Sequence, residues 1–312
     1  MIVGIVGQGF VGTALNEGLK QYFQIETYDI NKKSTCESLE KLSEKSDVVF
    51  VCLPTPMKDN GSCHIGIVQD TLLELDIMSK CKTIVVKSTI PPGTTENWNN
   101  HFKNIQIVFN PEFLTEANSI EDFKNQNRII IGGPRPATTK VRRIFAKAFP
   151  KVPIIKTGST TAEMVKYFTN CFLATKVSFA NEIYEISKAL NIDYDKVIEY
   201  AIYDERIGKS HLNVPGPDGD FGYGGHCFPK DVNALRSLAW SLGCSPRMLE
   251  ATDSKNNDIR NNRDWEEQTF LTRPLSFLGE NTADLLGNVI PTKDDEGFRE
   301  NRKYVNYQRQ IR

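Results

Sequence analysis

A short apolar run, residues 2–6, leads directly into the sequence GQGFVG at residues 7–12. Such a run is typical of a strand that is buried on both faces, and the amphipathic pattern that follows to about residue 22 predicts a helix. Glycines between a strand and a helix permit a tight turn and let a pyrophosphate approach the helix N-terminus closely. The sequence therefore predicts a dinucleotide-binding βα unit, with a glycine turn that only packs the helix on the strand as the alternative.

An acidic residue follows the second predicted strand, residues 25–28. Asp29 lies about 20 residues beyond the glycines, where a carboxylate can bind the adenosine ribose hydroxyls. An acid at this position repels a 2′-phosphate, so the sequence favours NAD over NADP as the cofactor. The cofactor-binding positions of this unit are Gly7, Gly9, Phe10, Val11, Gly12 and Asp29.

Strand and helix patterns alternate through residues 1–156 and predict an α/β domain with a Rossmann-type, doubly wound parallel sheet. Further strands are expected at residues 48–53, 83–87, 106–109, 129–131 and 153–155, and helices at residues 67–78 and 138–148.

Three proline-containing segments follow predicted strands, at residues 54–56, 88–93 and 110–116. Ligands of parallel sheets bind outside the carboxyl ends of the strands, so these segments are expected to meet at one site. Each of them is also compatible with a simple turn.

From residue 157 the alternation stops, and an all-helical central domain is expected over residues 157–262. A helix at residues 161–190 opens with Thr160 and Glu163 at the spacing of a capping box. Lys166 and Asn170 are four residues apart and face the same side, which alone would equally suit a solvated helix face. Shorter helices are expected at residues 194–203 and, with Ser245 as the N-cap, at residues 246–260.

The glycine-rich sequence FGYGGHCFPKD at residues 221–231 places Cys227 just before a predicted helix, residues 229–242. Pro229 in the first turn is compatible with a helix start. The positive end of the helix dipole and the nearby Lys230 both favour a thiolate, and hence a nucleophile. The alternative is that Cys227 is a small buried apolar residue.

Composition excludes several classes of protein. A net charge of −1 over 312 residues gives no basic field for nucleic acid. The seven cysteines lie without CxxC pairs or nearby histidines, so neither a disulfide framework nor a metal site is expected. We see no signal peptide and no membrane span, and we expect a cytoplasmic location.

Together these motifs resemble the nucleotide-sugar dehydrogenases, that is, the UDP-glucose and GDP-mannose dehydrogenase family, and most closely the members that act on UDP-glucose. The motifs that carry the resemblance occur in the family's order over about five-sixths of the chain: GQGFVG, the acid of YDIN, LPTP, KSTIPPGTT, NPEFLTE, AEMVKYFTN, RIG, VPGPDG and FGYGGHCFPKD. The cysteine motif is the most specific of them.

The resemblance implies a four-electron oxidation of the sugar C6 alcohol to a carboxylate, with two NAD⁺ and a thiohemiacetal and thioester on Cys227. It also implies that Lys166 and Asn170 stabilise the negative oxygen, that Asp231 serves proton transfer through an ordered water, and that Thr89 and Glu116 hold the hydrolytic water. Further cofactor-contacting positions are Pro54, Thr55, Thr89, Glu112 and Lys230. The substrate-contacting positions are Glu112, Phe113, Leu114, Lys166, Asn170, Arg206, Phe221, Tyr223 and Gly224.

The resemblance further implies a homodimer formed through the central domain, in which Arg206 reaches the neighbouring subunit. The family continues into a third domain that binds the nucleotide, whereas residues 263–312 are expected to form a short atypical tail in its place. Residues 275–281 resemble the start of a strand, and residues 291–312 are expected to be flexible or stabilised by a partner. A different UDP-sugar or GDP-mannose as the substrate, a thiol-independent hydroxyacid dehydrogenase and an NAD-binding protein with little turnover remain as alternatives.

Overall fold

The structure is a computed structural model that describes residues 1–267, all of which belong to one compact unit. The expectations for residues 275–281 and 291–312, and for most of the tail at residues 263–312, lie outside the described residues. Among the helices of the described range, none combines the length and the apolar character that crossing a bilayer requires.

Seven strands form one sheet in the order β2-β1-β3-β4-β5-β6-β7. Their bounds are β1 Ile2–Val6, β2 Gln24–Tyr28, β3 Val48–Val51, β4 Thr83–Val86, β5 Gln106–Phe109, β6 Ile129–Gly132 and β7 Ile154–Thr157. Every residue of β3, β4 and β6 is buried, which explains why these strands appear in the sequence as continuous apolar runs.

The sheet is mostly parallel, as the sequence predicts, with one reversal. Strands β1 to β5 are parallel, but β6 pairs antiparallel to β5 through Phe109 and Gly132, and β7 then pairs parallel to β6. An apolar run specifies burial but not strand direction, so the sequence of β6 could not reveal this reversal.

Six helices pack with the sheet: α1 Phe10–Leu19, α2 Leu39–Lys45, α3 Gly66–Met78, α4 Thr94–His101, α5 Ser119–Lys124 and α6 Ala137–Ala148. The core between sheet and helices is built from side chains such as Ile5, Leu15, Phe50 and Phe145. This Rossmann-like part places the loops after β3, β4 and β5 along one edge of the sheet, as the sequence predicts.

The remaining helices are α7 Ser159–Ala189, α8 Tyr194–Ala201, α9 Phe228–Ser241 and α10 Arg247–Ile259, followed by a 3₁₀ turn, Asp264–Glu267. They confirm an all-helical central part.

Two predicted helix N-caps are wrong. Gly158 precedes α7 without any side-chain cap, and Pro246 rather than Ser245 is the N-cap of α10.

Candidate active site

The glycine loop between β1 and α1 has the shape that a bound pyrophosphate requires. Gly7 adopts φ +87°, and a Cβ there would lie 2.4 Å from the Cys52 carbonyl oxygen. A Cβ on Gly12 would lie 1.9 Å from the Gly7 oxygen, whereas a Cβ on Gly9 would meet nothing within 4 Å. Gly9 is also the N-cap of α1 and offers no side-chain acceptor. The open space in front of the first α1 amides therefore fits a phosphate group.

Asp29 lies next to this loop, directly after β2. Its Oδ2 atom accepts a hydrogen bond from the Gln8 amide at 2.6 Å, and its Oδ1 atom accepts one from the Asn31 amide at 2.8 Å. The carboxylate is thus fixed beside the glycine loop, where a dinucleotide places its ribose. Phe10 and Val11, in the first turn of α1, are half-buried.

Cys227 is the N-cap residue of α9, and Pro229 lies in the first turn, as the sequence predicts. The expectation of a resting thiolate is wrong, however. Burial raises the pKa of the Cys227 thiol to about 11, Lys166 and Lys230 oppose this rise, and Glu112 and Asp231 add to it. All four charges therefore act on the thiol, and desolvation outweighs the effect of the two cations.

Lys166 and Glu112 form a buried ion pair beside this thiol. Lys166 Nζ donates to Glu112 Oε1 at 2.8 Å, and the two side chains are only 3% and 5% exposed. Glu112 also accepts from the Leu114 amide at 2.8 Å. Burial would raise the pKa of Glu112, but Lys166 more than offsets this, so that the pKa lies below its usual value.

Asp231 is fully buried between two donors. Asn170 Nδ2 donates to Asp231 Oδ2 at 2.6 Å, and Lys230 Nζ donates to Asp231 Oδ1 at 2.6 Å. Lys166 and Asn170 are themselves 2% and 6% exposed, so the interpretation of a solvated helix face is wrong. The α7 face that carries them lies against the start of α9.

A third buried lysine was not singled out by the sequence analysis. Lys87 follows β4, is 3% exposed, and donates to Asn110 Oδ1 at 2.8 Å. Asn110 in turn donates to the Ile130 carbonyl at 2.7 Å and so ties β5 to β6. Burial lowers the pKa of Lys87 to about 8. The signal available in the sequence was a lysine placed at the carboxyl end of a buried strand.

The loops after β3 and β4 are joined to each other. Thr55 is buried and its Oγ1 donates to the Thr89 carbonyl at 2.8 Å, while Pro54 is exposed. Ser88 Oγ accepts from the Leu53 amide at 2.9 Å. The structure therefore brings the predicted positions Thr55 and Thr89 together at one edge of the sheet.

The glycine loop before Cys227 rests on a polar scaffold. Asn256 accepts from the Tyr223 amide at 2.7 Å and donates to its carbonyl at 2.9 Å. A Cβ on Gly224 would lie 2.3 Å from Nη2 of the buried Arg260, so no larger residue fits without a shift. Tyr223 is 4% exposed and packs edge-to-face on Phe228. Phe221 packs at the edge of a small cluster with Tyr194 and Val214.

The other predicted positions are less enclosed. Phe113 and Leu114 are half-buried, and Lys166 Nζ lies 5.7 Å from the centre of the Phe113 ring. Glu116 is exposed, with its Oε1 atom 4.0 Å from His226 Nε2. Arg206 is 90% exposed and pairs with Asp204. Arg206 thus lies at the surface, away from the buried charged residues of the same chain.

This arrangement is suited to chemistry at a carbonyl carbon. The half-buried thiol of Cys227 lies near cationic and amide donors, and such donors stabilise an oxygen that becomes negative when a nucleophile adds. Two carboxylates are held within the same cluster by direct hydrogen bonds. The glycine loop and Asp29 lie next to each other and have the geometry that a dinucleotide site requires.

Comparison with known proteins agrees with this geometry. Residues 15–149 match the NAD binding domain of the UDP-glucose/GDP-mannose dehydrogenase family, and residues 160–258 match its central domain. The cofactor of the N-terminal domain is therefore NAD.

Individual relatives point the same way. The chain is 32% identical to the UDP-glucose 6-dehydrogenase YwqF of Bacillus subtilis, over 90% of this chain and 65% of that protein. It superposes on a UDP-glucose dehydrogenase from the archaeon Pyrobaculum islandicum with a TM-score of 0.75 at 28% identity, covering 82% of this chain and 68% of the other. A GDP-mannose dehydrogenase from Pseudomonas aeruginosa gives a TM-score of 0.61 at 26% identity, covering 83% and 69%.

The chain spans 65% of the length of the Bacillus relative and 50% of some others, among them the Rickettsia bellii enzyme. Within that span, the NAD binding domain and the central domain occur in the family's order and carry the site described above. This chain belongs to the UDP-glucose/GDP-mannose dehydrogenase family.

Proposed function

We propose that the protein oxidises the C6 alcohol of a nucleotide sugar to the carboxylate, with UDP-glucose as the substrate and UDP-glucuronate as the product. The single observation that carries this proposal is the position of Cys227, a half-buried thiol on which the charges of Lys166, Glu112, Asp231 and Lys230 act. Dehydrogenases that stop at a ketone need no such thiol. A four-electron oxidation needs one, because the aldehyde must be held as a covalent adduct before its second oxidation.

The cofactor site is formed by the glycine loop and Asp29. Gly7, Gly9 and Gly12 leave space for the pyrophosphate at the start of α1, and the Asp29 carboxylate binds the ribose. Pro54, Thr55, Thr89, Glu112 and Lys230 contribute the rest of the cofactor contacts. NAD⁺ supplies the hydride acceptor for each of the two two-electron oxidations.

The thiol of Cys227 adds to the aldehyde carbon, and a C–S bond forms while the carbonyl oxygen becomes negative. Because burial raises the pKa of this thiol, it gives up its proton as the bond forms and not beforehand. Lys166 and Asn170 donate to the negative oxygen, a contribution that typically lowers a barrier by about 3 kcal/mol. Asp231 with an ordered water carries the proton away from the reacting atoms.

Hydrolysis completes the reaction. The second oxidation leaves the sugar carbon joined to Cys227 as a thioester. A water held by Thr89 and Glu116 attacks the carbonyl, the C–S bond breaks, and the sulfur regains a proton. The sugar and nucleotide are held by Glu112, Lys166 and Asn170 and by the further positions Phe113, Leu114, Arg206, Phe221, Tyr223 and Gly224. Tyr223 serves through its backbone, because its side chain is buried.

We also propose a homodimer formed through α7. One face of this helix leaves large apolar side chains 42% to 66% exposed: Met164, Phe168, Phe172, Phe179 and Ile186. An apolar stripe of this length suits a symmetric, self-complementary contact. Arg206, exposed on its own chain, would then reach the partner's site. We place the domain boundary between residues 156 and 157 and the end of the central domain at residue 262.

We place the enzyme in the reducing cytoplasm, where its seven free cysteines would remain thiols.

The proposal is tested by the yield of NADH at limiting UDP-glucose. Two NADH per sugar are expected, and Cys227→Ser should abolish formation of the acid, whereas Cys244→Ser, at an exposed cysteine, should not. One NADH per substrate that survives Cys227→Ser would instead indicate a thiol-independent dehydrogenase. NAD binding without NADH from any UDP- or GDP-sugar would indicate a protein without turnover.

A further inference from the structure

The carboxylate of Glu163 lies fully buried where α7 meets the start of α4. Its Oε2 atom accepts from the Gly93 amide at 2.6 Å, and its Oε1 atom accepts from the Thr95 amide at 2.8 Å. Gly93 is the N-cap of α4, and Thr95 is its second residue. The first amides of a helix lack partners within the helix and favour a negative charge. Glu163 therefore caps a helix that begins 70 residues earlier in the chain, and not its own.

The helix that Glu163 caps continues directly from the loop that carries Thr89. On one side this loop is fixed to the neighbouring strand connection, because Ser88 accepts from the Leu53 amide and Thr55 donates to the Thr89 carbonyl. On the other side the loop ends at Gly93, which Glu163 holds. Thr89 is thus placed by anchors at both ends of a short segment.

The same face of α7 carries the donors of the active site. Lys166 and Asn170 follow Glu163 by three and seven residues, spacings that place all three side chains on one face of the helix. Burial raises the pKa of Glu163, while the Gly93 and Thr95 amides oppose the rise. The cost of burying this carboxylate is offset by its two hydrogen bonds to amides. These hydrogen bonds fix the Thr89 loop relative to the face of α7 that carries Lys166.

We propose that Glu163 is a positioning residue for hydrolysis of the Cys227 thioester. By capping α4 it fixes the loop at residues 88–93, and so fixes Thr89 relative to Lys166 and Asn170. This inference rests on the proposed function, in which Thr89 holds the attacking water. Without the cap the water is misplaced, and the acylated enzyme accumulates because its breakdown becomes slow.

The test compares Glu163→Gln with Glu96→Gln. The glutamine at position 163 keeps the shape but removes the charge and one acceptor. Glu96 is an exposed carboxylate in the first turn of the same helix, where it accepts from Thr160, so it makes a matched control. Three readouts are used: steady-state kinetics with UDP-glucose, amide hydrogen exchange over residues 88–98, and intact-protein mass after rapid quenching with UDP-glucose and NAD⁺.

For Glu163→Gln we expect exchange to be faster by about 3- to 30-fold, which corresponds to loss of a cap. We expect kcat to fall by about 10- to 100-fold, the KM for UDP-glucose to change little, and the mass of the acylated protein to accumulate. Glu96→Gln should resemble the wild type in all three readouts. If Glu163→Gln fails to fold by circular dichroism, Glu163→Asp, which keeps the charge but cannot reach both amides, replaces it with the same expectations.

Unchanged exchange in the variant overturns the inference, and so does a wild-type kcat without accumulated acyl-enzyme. If the wild type itself never acylates Cys227 with any nucleotide sugar, the proposed function fails and this inference fails with it. Normal turnover by the wild type together with an unaffected variant overturns this inference alone.

Discussion

Lys166 Nζ lies 2.8 Å from Glu112 Oε1, although 54 residues separate the two in the chain. Glu112 follows the fifth strand of the sheet, whereas Lys166 belongs to the long helix of the central part. Burial lowers the pKa of Lys166, but Glu112 more than offsets this and the pKa lies above its usual value. Each side chain thus keeps the other ionised in an environment that would otherwise favour the neutral forms.

Breaking this pair on one side should be costly. Lys166→Met leaves the Glu112 carboxylate buried without its cation, so we expect the free energy of unfolding to fall by about 3 to 5 kcal/mol. Urea denaturation at pH 7 measures the change. Lys255→Met is the control, because its partner Glu185 is 54% exposed and such pairs contribute less than about 1 kcal/mol. Equal costs for the two variants would contradict a buried pair.

Lys87 should make stability depend on pH in the alkaline range. Its pKa is lowered to about 8 in the folded chain, whereas the usual value is 10.5. Between these pH values the unfolded chain keeps a proton that the folded chain has lost, so the free energy of unfolding rises with pH, by up to about 3 kcal/mol. Lys87→Met lacks this rise. Between pH 7.5 and 10, urea unfolding should show that the free energy of unfolding rises more for the wild type than for Lys87→Met. Lys82→Met, at an exposed lysine, should show the same pH dependence as the wild type.

Substitutions in the glycine loop should distinguish effects on stability from effects on NAD binding. A Cβ at position 12 meets the Gly7 oxygen at 1.9 Å, so Gly12→Ala should lower the melting temperature and weaken NAD binding together. A Cβ at position 9 meets nothing within 4 Å, so Gly9→Ala should melt like the wild type yet bind NAD at least about tenfold more weakly. Calorimetry and NAD titration measure the two effects, and unimpaired NAD binding by Gly9→Ala would show that the pyrophosphate lies elsewhere.

The thiol of Cys227 should react slowly at rest. Its pKa is raised to about 11, so at pH 7.5 iodoacetamide should modify the exposed Cys244 first. The rate at Cys227 should rise about tenfold per pH unit over the accessible range below this pKa. Lys166→Met should slow Cys227 further and leave Cys244 unchanged, as followed by peptide mass spectrometry. If Cys227 were modified first at pH 7.5, a thiolate would be present at rest.

The dimer proposed through the long helix depends on its exposed aromatic rings. Phe168 and Phe172 stack with their ring centres 5.9 Å apart and are 66% and 56% exposed. Phe168→Lys should shift the protein from dimer to monomer in light scattering. Met248→Lys, at a residue 69% exposed on α10, should leave the dimer intact. A monomeric wild type would contradict the dimer, and a dimeric Phe168→Lys variant would place the interface elsewhere.

The parts of the fold that depend on local pattern follow from the sequence. Strand positions are correct to within two residues, because each buried strand is a short apolar run bounded by polar residues or glycines. The start of the helix after Cys227 is predicted by Pro229, since proline fits only the first turn. Such features are determined by neighbours in the chain.

The features that the sequence does not reveal are contacts between distant segments. The four-residue spacing of Lys166 and Asn170 shows that they share a face, but not that this face is buried. The spacing of Thr160 and Glu163 suits a capping box, yet the carboxylate reaches another helix that happens to start beside it. The thiol's pKa depends on the depth of the site, which outweighs the lysines that the sequence places nearby.

The buried contacts of Glu112 and Glu163 also constrain how the sequences of the sheet part and the helical part can diverge in evolution. Glu112 relies on a cation from the central helices, and the amides at Gly93 and Thr95 rely on Glu163 from the same helix. A chimaera that joined the sheet of this chain to the helices of a distant relative would leave these groups uncompensated unless both partners were carried across. The two parts therefore differ in architecture, but the charged and polar partners that join them must be retained together.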